Sequence, residues 1–119
     1  MPTYEHAINK LRTMCLALPE AVEDGGVGNP SFKVRSKIFA MQHGMNGRPS
    51  VWFKAPRGLQ EAMVADDPDT FFAPPYVAVH GWIGAYLDID LDWEEIDGLV
   101  RDSYRMTAPK RLVRTMDEG

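Results

Sequence analysis

Aromatic and cationic residues alternate with apolar ones in several segments that have the two-residue period of a β-strand. Successive side chains of a strand point to opposite faces of its sheet. The apolar members are expected to face the core: Phe32, Val34, Val51, Phe53, Ile83, Ala85 and Leu87. The opposite face then collects cations and aromatics: Lys33, Arg35, Lys54, Trp52, Trp82 and Tyr86. Such a face can stack bases or flat ligands while its cations neutralise phosphates.

The same pattern also fits a face with a purely structural role. Trp and Tyr commonly pair across strands on a half-exposed sheet, and the stems of Lys and Arg cover their edges. In a second structural arrangement, the C-terminal segment folds over this face and buries it. The sequence therefore leaves open whether the face is exposed to solvent.

Cations at two predicted hairpin turns form a second candidate site for phosphates. Arg35 and Lys37 flank one turn, and Arg48 follows the other. Projecting turns of this kind can reach the phosphate backbone of DNA. So few phosphate contacts predict a low affinity that falls steeply with salt. Cations near the C-terminus would join this site only if their segment folds onto the same side: Lys110, Arg111 and Arg114.

The titratable residues form no recognisable catalytic or metal-binding motif. His6, His43 and His80 lie in different predicted elements, and none has the i, i+4 partner of a zinc motif. The acidic run over residues 88–92 lacks the glycine and the glutamate of a calcium loop. Ser103 lies on the inner stripe of a predicted helix rather than in a nucleophile elbow. We therefore expect neither an enzyme, nor a cofactor, nor a metal site.

The composition is that of an ordinary globular protein. The 119 residues, of which 45% are hydrophobic, fit a single domain over residues 1–119. The net charge of −4 argues against a dedicated DNA-coating protein, which is normally basic. The single cysteine excludes an internal disulfide, and no segment resembles a signal peptide or a membrane span. We expect a cytoplasmic, monomeric protein with no membrane partner.

The charges are distributed unevenly along the chain. Between Arg57 and Arg101 there are ten acidic residues and neither Lys nor Arg. Residues 101–114 carry five cations and one acidic residue. Polarity of this kind can orient a partner, although solvated charged surfaces are commoner.

Helices are predicted on both sides of the strands. Apolar residues recur at helical spacing over residues 4–18, and Cys15 lies on that stripe, which predicts a core residue rather than a nucleophile. Asp92, with Glu95 three residues later, resembles a capping box that begins the last long helix. The intervening strands are predicted at 31–35, 37–43, 50–54, 76–79 and 82–87, with a hairpin turn at Asn46-Gly47 and a short helix over 57–65. This order predicts an α+β fold, in which N- and C-terminal helices pack on one face of an antiparallel sheet.

Several blocks of residues, in their order and spacing, resemble one known family. These blocks are Asn29 to Val34, Lys37 to Ala40, Pro75-Tyr76, Gly81 to Ile83, Ser103 to Arg105 and Ala108 to Leu112. Through them nearly the whole chain is similar to the MmcQ/YjbR family. The resemblance implies a frataxin-like α+β sandwich and a DNA-binding role that uses a pair of hairpin wings. It implies no enzymatic activity and no cofactor.

Two features of the sequence depart from this family pattern. Ser36 stands where the first hairpin turn usually has glycine, and His80-Gly81-Trp82 replaces a His-Trp pair. Weak DNA binding through the basic-aromatic face and the hairpin turns is the first functional hypothesis. The alternative is a protein- or small-ligand-binding module that uses the same face and has no nucleic-acid role.

Overall fold

A computed structural model describes residues 4–25 and 30–118, which form four α-helices and six β-strands. Asn29, in the first family-like block, lies outside the described residues. The helices are α1 (Tyr4–Leu16), α2 (Leu59–Asp66), α3 (Trp93–Thr107) and α4 (Lys110–Glu118). The strands are β1 (Val22–Asp24), β2 (Ser31–Val34), β3 (Lys37–Met45), β4 (Arg48–Lys54), β5 (Phe71–Phe72) and β6 (Trp82–Tyr86).

All six strands join one antiparallel sheet in the order β1-β2-β3-β4-β6-β5. The predicted α+β class is confirmed. The Asn46-Gly47 turn connects β3 to β4, and both residues adopt the positive φ that this hairpin turn needs, 55° and 73°. The likeness to frataxin stays a prediction.

The four helices bury one face of the sheet. The apolar strand residues predicted to face the core are at most 2% exposed, which confirms the predicted alternation. From α1, Leu11 and Cys15 pack into the same core and are completely buried. Burial raises the pKa of the Cys15 thiol far above its usual range, so this cysteine is a core residue, as predicted.

The position of α3 is fixed at both of its ends. The Asp92 carboxylate accepts hydrogen bonds from the backbone N–H groups of Glu94 and Glu95, at 3.1 and 3.2 Å, which confirms the predicted cap. Near the other end, the buried Ser103 hydroxyl donates to the Phe39 carbonyl and accepts from the Lys54 N–H, at 2.5 and 2.9 Å. One side chain thus joins α3 to β3 and to the last residue of β4.

Three short segments differ from the sequence-based expectations. Neither β1 nor β5 was predicted, because strands of three and two residues are too short to show an alternating pattern. The strand predicted over residues 76–79 is wrong, since this segment forms a turn followed by a short 3-10 helix, Ala78–His80. Tyr76 has φ 68°, which is incompatible with an extended strand.

Candidate functional site

The sheet face opposite the helices carries a second apolar cluster, formed by Trp52, Phe72 and Tyr86. The Phe72 ring lies directly against Gly84, where a Cβ atom would collide with it. Its centroid is 6.5 Å from that of Trp52 and 4.7 Å from that of Tyr86. As a result Trp52 is only 4% exposed and Tyr86 only 7%. The prediction that these two aromatics belong to a ligand-stacking surface is therefore wrong.

Contacts within the protein satisfy the polar atom of Trp52. Its indole Nε1 donates to the Ser50 hydroxyl at 3.0 Å, and that hydroxyl donates to the His43 carbonyl at 2.5 Å. The His43 ring stacks over the indole at a centroid distance of 4.2 Å. These contacts make Trp52 a structural residue that holds β3 and β4 together.

Tyr86 and Arg48 contact each other, and their polar groups are likewise satisfied within the protein. The Arg48 guanidinium lies 3.6 Å from the centroid of the Tyr86 ring and forms an ion pair with Asp88 at 2.8 Å. The hydrogen bond from Arg48 lowers the pKa of the Asp88 carboxyl. The Tyr86 hydroxyl accepts a hydrogen bond from the Asn46 amide at 3.0 Å. Arg48 therefore stabilises this end of the sheet rather than offering a free charge.

The two predicted hairpin turns lie at opposite ends of the sheet. The nine residues of β3 separate the Arg35-Ser36 turn from the Asn46-Gly47 turn. At ~3.3 Å per residue this separation is on the order of 25–30 Å. The two turns therefore do not form one local site, and their use as a pair of wings stays a prediction.

Lys33 and Arg35 are expected site residues that already have carboxylate partners. Lys33 forms an ion pair with Asp24 at 2.8 Å, and Arg35 forms one with Glu20 at 2.7 Å. The hydrogen bond from Arg35 lowers the pKa of the Glu20 carboxyl. Exposed pairs of this kind contribute little to stability, so a phosphate can compete for either cation.

Lys37 and Lys54 have no such partner. Lys37 is exposed at the start of β3, whereas Lys54 is half-buried at the end of β4, opposite Trp82 of β6. Neither lysine forms an ion pair with any of the described residues. Burial and, to a smaller extent, the charge of Lys37 lower the pKa of Lys54. This pair is a local concentration of positive charge without a counter-ion from the described chain.

Helix α4 brings further cations to the same end of the sheet. The Arg111 guanidinium lies 3.9 Å from the Glu20 carboxylate, which also binds Arg35. The C-terminal segment thus folds beside the β2–β3 turn. Its cations can therefore join those of the turn in one phosphate-binding site. Five expected site residues therefore lie at this end, which we call the basic end: Arg35, Lys37, Lys54, Lys110 and Arg111.

The opposite end of the sheet is acidic. Asp88, Asp90 and Asp92 follow the C-terminal end of β6, and α3 begins there with Glu94 and Glu95. The uneven charge along the sequence thus becomes a separation of charge in space. The acidic middle segment and the basic late segment contribute to opposite ends.

The loop between β5 and β6 contains two exposed residues that are not among the expected site residues. Tyr76 is 91% exposed and Val79 is 80% exposed. The loop lies at the basic end, because its last residue precedes Trp82, which pairs with Lys54. The Pro-Pro-Tyr sequence marks an exposed turn and could have identified this loop.

A cavity of about 350 Å³ lies beside this loop. Its lining includes Arg57, Val79, His80 and Met106, with Glu61 as its one carboxylate. Trp82, the remaining expected aromatic, is half-buried nearby. Of the three aromatics predicted for the sheet face, Trp82 alone retains substantial exposure.

Two further features of the described residues concern metal ligands and the length of the helices. In residues 4–25 and 30–118, no three His, Cys, Asp or Glu side chains are grouped so that they could hold a metal ion. None of the helices in the same ranges is both long and apolar enough to cross a membrane.

Comparisons with known proteins identify the family and one structural neighbour. Residues 16–106 match the family model YjbR. The chain is similar in structure to the Deinococcus radiodurans protein DR2400, a crystal structure with family-model domain DUF419, at a TM-score of 0.75 and 19% identity. The alignment covers 99% of this chain and 90% of that one, so the two share a fold. No curated protein matches the sequence.

Proposed function

The chain belongs to the YjbR family, and we propose that it binds DNA weakly, through phosphate contacts at its basic end. The observation that carries the proposal is that Lys37 and Lys54, at one end of the sheet, have no carboxylate partner among the described residues. The charge of Lys37 also contributes to the lowered pKa of Lys54. The proposal assigns no catalytic step and no cofactor.

The depressed pKa of Lys54 supports an anion as the missing partner. Its charged form is disfavoured first by burial and then by the neighbouring charge of Lys37. A phosphate bound between the two ammonium groups would stabilise the charged form of Lys54. It would offset the repulsion from Lys37 and compensate the effect of burial. Arg35 and Arg111 flank the same carboxylate, Glu20, and can each turn to a second phosphate.

The expected affinity is low because the contacts are few and the protein is acidic overall. Five phosphate contacts give a log–log salt slope of about −4.5. A fourfold rise in salt concentration would then weaken binding by several hundredfold, to order of magnitude. The net charge of −4 opposes non-specific attraction, and the acidic end favours approach of DNA toward the basic end.

The alternative hypothesis, a protein- or small-ligand-binding module that uses the aromatic sheet face, has lost most of its support. Trp52 and Tyr86 were its main stacking residues, and both are buried. The geometry therefore favours binding at the basic end rather than at the centre of the aromatic sheet face.

Fluorescence anisotropy with a labelled duplex of about 20 base pairs tests the proposal at about 20 and 150 mM salt. Replacing Lys37→Gln together with Lys54→Gln should weaken binding about 10-fold and reduce the salt slope by about 1.8. The matched control is Lys10→Gln with Arg101→Gln. These residues lie on α1 and α3, and neither is among the five residues that define the basic end. The control pair should change affinity by less than about twofold. Absence of binding at low salt, or an equal loss in both double variants, would contradict the proposal.

A further inference from the structure

The loop between β5 and β6 exposes an aromatic ring that the phosphate contacts do not use. Tyr76 is 91% exposed, and its backbone has φ 68°, a left-handed conformation that bulky residues rarely adopt. Val79, three residues later, is 80% exposed. Such conformations persist where the surrounding structure imposes them, and they concentrate at functional positions.

Hydrogen bonds hold this loop in place although its side chains are exposed. The Val77 N–H donates to the Pro75 carbonyl at 2.8 Å, and the Ala78 N–H donates to the Pro74 carbonyl at 3.0 Å. The Gln60 amide of α2 donates to the carbonyls of Ala78 and Trp82. The Tyr76 ring is therefore presented to solvent by a fixed backbone.

The surroundings of the loop carry more positive than negative charge. Arg57 lines the adjacent cavity, in which Glu61 is the one carboxylate. The strand that follows the loop pairs Trp82 with Lys54. A negatively charged ligand with flat apolar groups therefore matches these surroundings.

On the premise of the DNA binding proposed above, we infer that Tyr76 is a base-stacking residue and that single strands are the preferred ligand. Lysine and arginine contacts to phosphates do not distinguish a single strand from a duplex. Stacking does distinguish them, because the bases of a duplex are already stacked on each other. A tyrosine ring this exposed can receive a base from a single strand, and Val79 is a second exposed apolar side chain of the same loop.

Anisotropy with a labelled single strand and a labelled duplex of equal length tests the inference. Tyr76→Ala should weaken single-strand binding about 10-fold and change duplex binding less than about twofold. Tyr76→Phe keeps the ring and loses only the hydroxyl, so it should bind the single strand as the unmodified protein does. Circular dichroism of each variant verifies that the fold is intact, which the exposure of Tyr76 leads us to expect.

The outcomes separate this inference from the proposal on which it rests. If neither nucleic acid binds at low salt, both fail together. If both bind and Tyr76→Ala changes neither affinity, or lowers both equally, the stacking role is overturned while phosphate binding at the basic end stands. If Tyr76→Phe loses as much single-strand affinity as Tyr76→Ala, the hydroxyl rather than the ring is the contact, and the stacking role is again overturned.

Discussion

Lys54 combines a structural and a functional role at a single position. Its backbone N–H is held by the Ser103 hydroxyl, and its ammonium group lies in the field of Lys37. Because folding lowers its pKa, the unfolded chain holds the Lys54 proton more tightly than the folded protein does. This effect opposes folding at neutral pH and is relieved as the pH rises through the lowered pKa of the folded state.

The first prediction concerns this pKa. Lys37→Gln removes the neighbouring charge and should raise the pKa of Lys54, although burial, its larger cause, keeps it below the ordinary lysine range. Saturating the unmodified protein with an oligonucleotide should raise the pKa further, since a phosphate stabilises the charged form. An NMR titration of the lysine side-chain signals measures both changes. An unchanged Lys54 pKa on saturation would place the bound phosphate elsewhere.

At the scale of the element, the β2–β3 turn is strained at two successive residues. Arg35 and Ser36 have φ 51° and 68°, a left-handed region that costs an ordinary residue about 1–2 kcal/mol relative to glycine. The β3–β4 turn meets the same requirement with Asn46 and Gly47, two residues that tolerate it. The β2–β3 turn thus positions two cations, Arg35 and Lys37, and its strain lowers the stability of the fold.

The second prediction follows from this contrast between the two turns. Ser36→Gly should raise the free energy of unfolding by about 1 kcal/mol and leave both cations in place. The matched change in the other turn, Gly47→Ser, should lower it by a similar amount because Gly47 has φ 73°. Urea denaturation measures both. A Ser36→Gly variant that is no more stable than the unmodified protein would show that the turn is not strained.

Strand β5 shows at the same scale how Phe72 changes the role of a whole face. In β5 the two phenylalanines alternate, so Phe71 enters the helix-side core and Phe72 enters the second cluster. Phe71 therefore holds this strand to the core under the helices, whereas Phe72 covers the aromatics that the sequence assigned to binding.

At the scale of the whole molecule, the charges form two poles about one strand length apart. The basic end and the acidic end are separated by the length of β3, on the order of 25–30 Å. This distance is comparable to the Debye length at about 10 mM salt and several times that at about 150 mM. The acidic end should therefore influence DNA at low salt only.

The third prediction separates this long-range effect from a local one. Asp90→Asn with Glu94→Gln, at the acidic end, should raise DNA affinity about twofold at low salt and not at physiological salt. Glu20→Gln releases Arg35 and Arg111 and should raise affinity at both salt concentrations, by about threefold or more. Anisotropy over a salt series measures the two effects. Equal salt dependence of the two variants would rule out this distinction.

Local regularities in the sequence determined which faces the strand residues take, the cap of α3 and the Asn46-Gly47 turn. Each of these depends on residues close together in the chain, whose spacing limits where side chains point. The order of several blocks along the whole chain indicated the family. The tertiary structure decided the site, because exposure depends on residues distant in sequence. Phe72 buries Trp52, Glu20 gathers Arg35 and Arg111, and the length of β3 separates the two turns. Alternation along a strand fixes the face on which a side chain lies, and only contacts between strands, loops and helices decide whether that face reaches water.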